Sequence, residues 1–379
     1  MSKLYKNLLR PLLFKFPTES VHDLGINSLR IGLASGIAQK YARKHFCSDE
    51  FAGIERFGLK FSNPVGIAAG FDKNGIVVNQ LASLGFGFVE VGTVTYKPQQ
   101  GNKKPRLFRL PEDGALINRL GFNNHGTPRV IERLRKIERS CVLGVNIGKN
   151  KDVPNEEAVE NYLKSFDLAF KVADYIAVNV SSPNTPNLRQ LQQAESLESL
   201  LGALQKRNIE LGQEAEGAGG LLERDASATG KPLLVKIAPD LSESEIEEIV
   251  DTVIRLKLSG IIATNTTIDR SGLTTGAGEL EKIGDGGLSG RPLTLMSNEV
   301  IRQIYKYSKG NCPIIGVGGV FTAEDAFDKI AAGACLIQAY TGFVYHGISF
   351  ASDLNRGLYK FLNRRGFANI DEAIGSESK

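Results

Sequence analysis

The chain has 379 residues, 42% of them hydrophobic, and carries a formal net charge of +4. That is apolar material for a large core, in a length that suits a (β/α)8 barrel of about 250 residues with additions. The positive excess lies entirely in Lys3, Lys6, Arg10 and Lys15, so the body is neutral and nucleic acid is not indicated as a partner. No run approaches the roughly 20 apolar residues of a membrane span. The cysteines Cys47, Cys141, Cys312 and Cys335 are scattered without a C-x-x-C pair. This argues against disulfides and zinc, and for a reducing compartment.

The first 18 residues mix those basic side chains with Leu4, Tyr5, Leu8, Leu9, Leu12, Leu13, Phe14 and Phe16 and read as an amphipathic helix. Pro17-Thr18-Glu19-Ser20 interrupts it, and a second helical pattern runs through Val21, Leu24, Leu29, Leu33 and Ile37. Such a pair either packs on the body or lies in a membrane interface with its cations toward anionic headgroups. The acid-poor start also suits the remnant of a mitochondrial presequence.

From residue 60 short apolar runs alternate with helical patterns. Candidate strands are Val65–Gly70, Phe88–Val94, Val142–Ile147, Tyr175–Val180, Leu233–Ile237, Gly260–Thr264, Pro313–Val317 and Cys335–Ala339. Their continuous hydrophobicity suits strands buried on both faces. Helices are predicted near 75–84, 126–138, 156–171, 188–210, 242–258, 297–308, 322–332 and 350–363. Eight βα units predict the α/β class, a closed (β/α)8 TIM barrel with an N-terminal amphipathic helical extension. The division falls into residues 1–45 and 46–379. Two stretches break the alternation. Thr95 to Gly126, with its Pro steps, predicts extended, hairpin-like chain over the barrel mouth. Gly212 to Lys231 predicts a mobile surface insertion.

Barrel sites lie at the C-terminal ends of strands. The first strand ends in Ala68-Ala69-Gly70-Phe71-Asp72-Lys73 and the second in Thr93, while Asn146 follows from the third. The fourth runs into Asn179-Val180-Ser181-Ser182-Pro183-Asn184, Lys236 lies within the fifth, and the sixth delivers Thr264-Asn265-Thr266. A lysine in a buried strand is rarely structural unless paired, so Lys236 predicts an anionic ligand. Repeated Asn suits the edge of a cyclic amide or imide, because an amide both donates and accepts. Gly316-Val317-Gly318-Gly319 and Tyr340-Thr341-Gly342 end the last two strands, the common barrel phosphate site. Gly287-Leu288-Ser289-Gly290 reads as another flexible loop. No G-x-G-x-x-G follows the first strand. A flat phosphorylated cofactor beside a lysine, without a nicotinamide motif, points to flavin mononucleotide (FMN).

Several ordered motifs resemble those of the quinone-dependent, membrane-associated dihydroorotate dehydrogenases: Asn63 to Lys73, Phe108 to Asp113, Asn118 to Asn123, Gly144 to Asn150, the Asn179 to Asn184 segment and Gly286 to Gly290. The resemblance covers nearly the whole chain. Its departures are the Gly212–Lys231 insertion and Leu120. It implies that dihydroorotate is oxidised to orotate, with hydride passing to FMN and electrons to ubiquinone. FMN would contact Ala68, Ala69, Gly70, Thr93, Asn118, Asn146, Asn179, Lys236, Thr264, Gly290, Gly319, Tyr340 and Thr341. Dihydroorotate would be held by Lys73, Asn118, Arg119, Leu120, Gly121, Phe122, Asn179, Asn184, Asn265 and Thr266, with Ser182 as base. His22, Arg109 and Tyr340 would meet the quinone under the N-terminal helices. The implied location is the mitochondrial inner membrane, peripherally, or the cytoplasmic face of a bacterial inner membrane; no metal is implied.

Two other readings stay open at this stage. A soluble class of the same enzyme uses cysteine as base and fumarate or a nicotinamide-linked oxidant; Ser182 and the N-terminal helices count against it. A non-catalytic ligand-binding barrel would leave many polar strand ends without a purpose that offsets their cost.

Overall fold

Each of eight short strands pairs in parallel with the next, and the last returns to the first to close a barrel. The structure, a computed structural model, describes residues 4–47, 50–51, 53–217 and 230–378. The barrel strands are Val65–Ile67, Phe88–Val94, Val142–Ile147, Tyr175–Asn179, Leu233–Ile237, Gly260–Ala263, Ile314–Val317 and Leu336–Ala339. Every residue in them is buried, the outcome expected of predominantly apolar runs with helices outside and side chains inside.

The intervening helices are Val78–Ser83, Thr127–Leu134, Ala158–Ala169, Ala194–Gly217, Glu243–Arg255, Thr294–Ser308, Ala323–Ala332 and Phe350–Arg364. Two begin at capping boxes, Ser242 with Glu245 and Thr322 with Asp325, which satisfy the first free N–H groups. The first helix starts later than its pattern suggests. The Asp72 carboxylate accepts from the N–H groups of Ile76 and Val77 and holds that stretch in a turn.

Leu107–Leu110 and Ala115–Asn118 form the expected hairpin. Gly287–Gly290 is a third strand on it, paired with Ala115–Asn118, and not a flexible loop. Gly290 has φ +109, and a Cβ there would lie 2.4 Å from the Gly114 carbonyl oxygen. The glycines in this segment therefore serve close approach of backbones.

At the N-terminus a helical segment spans Tyr5–Leu9 and Arg10–Leu13, followed by helices Thr18–Gly32 and Gly36–Phe46. Thr18, Glu19 and Ser20 thus start a helix, where an interruption was expected. The pattern through Ile37 is split, because Ser35 caps a separate helix through the Ala38 N–H. Ile26, Ala42 and Phe46 join the barrel's buried cluster, so the boundary at residue 45 does not divide two cores. The expected insertion is helical up to Gly217, and its residues 218–229 lie outside the described residues.

Candidate active site

One cavity of about 1080 Å³, counting its open mouth, runs across the C-terminal ends of the strands beneath the hairpin sheet. Lys236 and Thr93 stand on its floor, Gly318, Gly319, Tyr340 and Thr341 lie along one side, and Ser182, Asn184, Asn265 and Thr266 along another.

The floor is a buried polar network. Glu90, fully buried in the second strand, accepts from Tyr175 Oη at 2.9 Å, Asn146 Nδ2 at 2.9 Å and Gln338 Nε2 at 2.7 Å, and Lys236 Nζ stands 4.0 Å from it. Burial pushes the Lys236 ammonium below its ordinary range, and Glu90 opposes that shift. Above Glu90, Thr93 Oγ1 donates to Asn146 Oδ1 at 2.6 Å and accepts from Asn179 Nδ2 at 2.8 Å.

The Ser182 segment is held by its own side chains. Asn179 Oδ1 accepts from both the N–H and the hydroxyl of Ser181, bending the chain as it leaves the strand. Asn265 Nδ2 donates to Ser181 Oγ at 3.0 Å, and Tyr162 Oη to the Asn179 carbonyl at 2.7 Å. Arg189 donates to the carbonyls of Ser181 and Thr266 and pairs with Asp240 at 2.8 Å, tying this loop to its neighbour. Asn184 Nδ2 donates to Asn118 Oδ1 at 3.2 Å, joining the loop to the hairpin. The Thr185 hydroxyl is buried without a protein partner.

Lys73 lies where the main cavity meets a smaller one lined by Glu19, His22, Asp23 and Phe71. Burial pushes its ammonium down to about 8, while Glu19 and Asp23 pull it up. Glu19 is clamped by Arg106 at 2.7 Å, fastening the second N-terminal helix to the hairpin. Burial also pushes His22 down to about 3, so its ring is neutral. That ring packs edge-on against Phe71, which in turn packs against Tyr340.

Ala68, Ala69, Gly70, Thr93, Asn118, Asn179, Lys236, Thr264, Gly290, Gly319, Tyr340 and Thr341 all line the main cavity, as do Lys73, Leu120, Gly121, Phe122, Ser182, Asn184, Asn265 and Thr266. Four of the expected residues stand elsewhere. Asn146 lies beneath the floor, its amide consumed by Glu90 and Thr93. Arg119 points away from Asn118, stacking on Phe108 and donating to the carbonyls of Ile283 and Asp285. His22 lines only the smaller cavity. Arg109 lines neither: Nη1 donates to the carbonyls of Phe14 and Phe16, its guanidinium covers the Phe14 ring, and Nη2 is buried unpaired.

Glu90 and Gln338 escaped sequence reasoning. The available signal was an ionisable or amide side chain inside a predominantly apolar strand, Glu90 in one and Gln338 in the other. Among the described residues, no helix is long and apolar enough to cross a membrane, and no His, Cys, Asp or Glu cluster suits a metal ion.

A closed parallel barrel with a built polar site at its C-terminal mouth is the architecture of a barrel enzyme. The chain belongs to the dihydroorotate dehydrogenase family, whose model matches residues 53–362. It is 50% identical over 355 residues to "Dihydroorotate dehydrogenase (quinone)" of Christiangramia forsetii, covering 93% of this chain and 98% of that one. It is 45% identical to the protein of the same name from Roseiflexus sp., over 99% of both chains. The ligand-free dihydroorotate dehydrogenase (DHODH) structure from Eimeria tenella superposes with a TM-score of 0.83 at 39% identity, covering 94% of this chain and 98% of that one.

Proposed function

We infer that this protein oxidises dihydroorotate to orotate in de novo pyrimidine biosynthesis, with FMN as cofactor and a quinone as final electron acceptor. The observation that carries the reading is the convergence of Lys73, the asparagines and Ser182 on one side of a cavity whose floor holds a buried lysine.

The residues present fit FMN. Among the described residues, Gln338 Oε1 at the cavity floor is buried without a partner, and the N–H groups of Gly319 and Val320 have no hydrogen-bond acceptor. A Cβ on Gly319 would lie 2.0 Å from Thr294 Oγ1, so this backbone is pressed onto its support. When bound, the flavin supplies the two-electron acceptor for the substrate hydride. Lys236 would place positive charge where negative charge develops on the reduced ring. Gly319, Tyr340 and Thr341 would hold the phosphate.

Asn118, Asn184 and Asn265 would present amide groups to the cyclic imide edge, and Lys73 would pair with the carboxylate. Asn179, whose amide is bonded to Thr93, Asn146, Ser181 and Asn265, would hold them in place. Ser182 takes the C5 proton. A serine is a weak base, so the site must pass that proton on, and the unpartnered Thr185 hydroxyl three residues away supports a relay toward solvent.

The quinone is proposed to enter beneath the N-terminal helices toward Phe71 and Tyr340, with neutral His22 and the unpaired Arg109 Nη2 as polar contacts. The printed names of the relatives support quinone as acceptor. Leu8, Leu12, Phe16 and Ile37 are 62%, 54%, 56% and 84% exposed, beside Lys6, Arg10 and Lys15, which supports peripheral binding to an anionic membrane. The bacterial origin of the similar curated proteins favours the cytoplasmic face of a bacterial inner membrane over a mitochondrion. A steady-state assay tests the function: purified yellow enzyme should oxidise dihydroorotate with a ubiquinone analogue and poorly with fumarate or NAD+. Turnover that prefers fumarate or NAD+ would overturn the quinone reading.

A further inference from the structure

Lys329 is fully buried between the helices Thr294–Ser308 and Ala323–Ala332, behind the seventh barrel strand, where nothing in the chemistry above uses it. Its ammonium donates to Ser297 Oγ at 2.5 Å and to Asn298 Oδ1 at 2.8 Å. Neither partner is a carboxylate, and no ion pair to Lys329 is formed among the described residues. A buried lysine without a counter-ion is costly.

The contacts beyond Ser297 lead to the glycine loop. Ser297 Oγ lies 3.2 Å from the Gly318 carbonyl oxygen and 3.1 Å from that of Thr294. Thr294 Oγ1 lies 3.1 Å from the Gly319 carbonyl oxygen and 2.8 Å from that of Arg291, so each hydroxyl can donate its one hydrogen either to the loop or within its own segment. In a trans peptide the C=O and the following N–H point in opposite directions. Carbonyls of Gly318 and Gly319 drawn toward the helix therefore turn the N–H groups of Gly319 and Val320 the other way. Gly318, Gly319 and Val320 all line the cavity, and those two N–H groups have no acceptor among the described residues. A Cβ on Gly318 would sit 2.9 Å from Ser297 Oγ, so the serine and the loop are in direct contact.

We propose that Lys329 is a positioning residue for the cofactor phosphate: through Ser297 it orients the Gly318–Val320 backbone, and its cation, which forms no direct ion pair among the described residues, lies behind the N–H groups that receive the anion. The role rests on the FMN reading above. Burial pushes the ammonium down to about 7 although Asp325 and Asp328 pull it up, and a nearby phosphate dianion would keep it protonated.

The test compares two flavins that differ only in the phosphate. Holoenzyme is diluted and released flavin is read by fluorescence, which yields the FMN Kd; riboflavin is then added in excess, and the FMN that it displaces, separated from riboflavin by anion-exchange chromatography, yields the riboflavin Kd. Lys329→Met removes the cation. Asn298→Asp, nearly isosteric, sets a carboxylate against the ammonium and cancels its charge while leaving it folded in place. Both should weaken FMN by roughly tenfold or more, the scale of a partly screened charge interaction, and leave riboflavin within about twofold. Equal weakening of both flavins, or no weakening of either, would overturn the role. If Lys329→Met does not fold, Asn298→Asp decides alone. A wild-type protein that prefers riboflavin, or holds no flavin, would overturn the cofactor reading itself and the Lys329 role with it.

Discussion

Lys236 Nζ and the Glu90 carboxylate face each other at 4.0 Å inside the barrel, and Glu90 also receives donors from Tyr175, Asn146 and Gln338. The two charges are not equivalent. Glu90 keeps its hydrogen bonds when Lys236 is replaced, whereas Lys236 loses the only acidic partner that it has within 4.0 Å among the described residues when Glu90 is neutralised. Glu90→Gln should therefore cost about 3–5 kcal/mol of stability, the penalty for stranding a buried charge. Lys236→Met should cost clearly less, yet slow flavin reduction or lower flavin content. Thermal unfolding of both variants checks the order; equal losses would show that Glu90 does not hold the floor together.

Lys73 sets the expected pH dependence of substrate binding. Its ammonium sits near pKa 8 in the free protein, so the form that pairs with a carboxylate is full below that pH and falls away above it. The Kd for orotate should rise about tenfold per pH unit above 8. Because Glu19 raises this pKa, Glu19→Gln should bring the rise to lower pH. A titration of orotate binding that stays flat to pH 9.5 would remove Lys73 from the carboxylate.

The quinone step should show no titration from His22 between pH 5 and 8, because burial holds that ring near pKa 3. His22→Ala should raise the KM for a long-tailed quinone and leave reduction by dihydroorotate intact. Loss of both half-reactions would make His22 a packing residue against Phe71.

The exposed apolar face of the first helix allows a test of membrane contact that leaves the core alone. Leu8 and Leu12 are 62% and 54% exposed, so Leu8→Glu with Leu12→Glu should fold normally. The pair should abolish sedimentation with anionic vesicles and leave turnover with a small soluble acceptor unchanged. Retained vesicle binding would mean that this face serves only packing.

The barrel was legible because a strand buried on both faces leaves a largely apolar run, as in Val142–Ile147 and Leu233–Ile237, each broken by one polar side chain (Asn146, Lys236) and reproduced by the structure to the residue. Polar clusters at the ends of those runs also pointed to the right mouth. What failed was direction. Asn118 and Arg119 are neighbours, yet one faces the cavity and the other turns out to Phe108. Asn146 is an asparagine at a strand end like Asn179, but Glu90 draws it below the floor. Gly287–Gly290 looked flexible because its partner strand lies about 170 residues away, beyond any local pattern. Glu90 itself passed unnoticed, since its partners come from four other strands.

Ser182 is proposed to take the C5 proton of dihydroorotate in this cavity. Anaerobic stopped-flow mixing of holoenzyme with dihydroorotate measures that step through loss of the yellow flavin absorbance. Ser182→Ala should retain its flavin and be reduced about 10²–10⁴-fold more slowly, the usual contribution of a general base. Reduction of the variant at the wild-type rate would contradict the account.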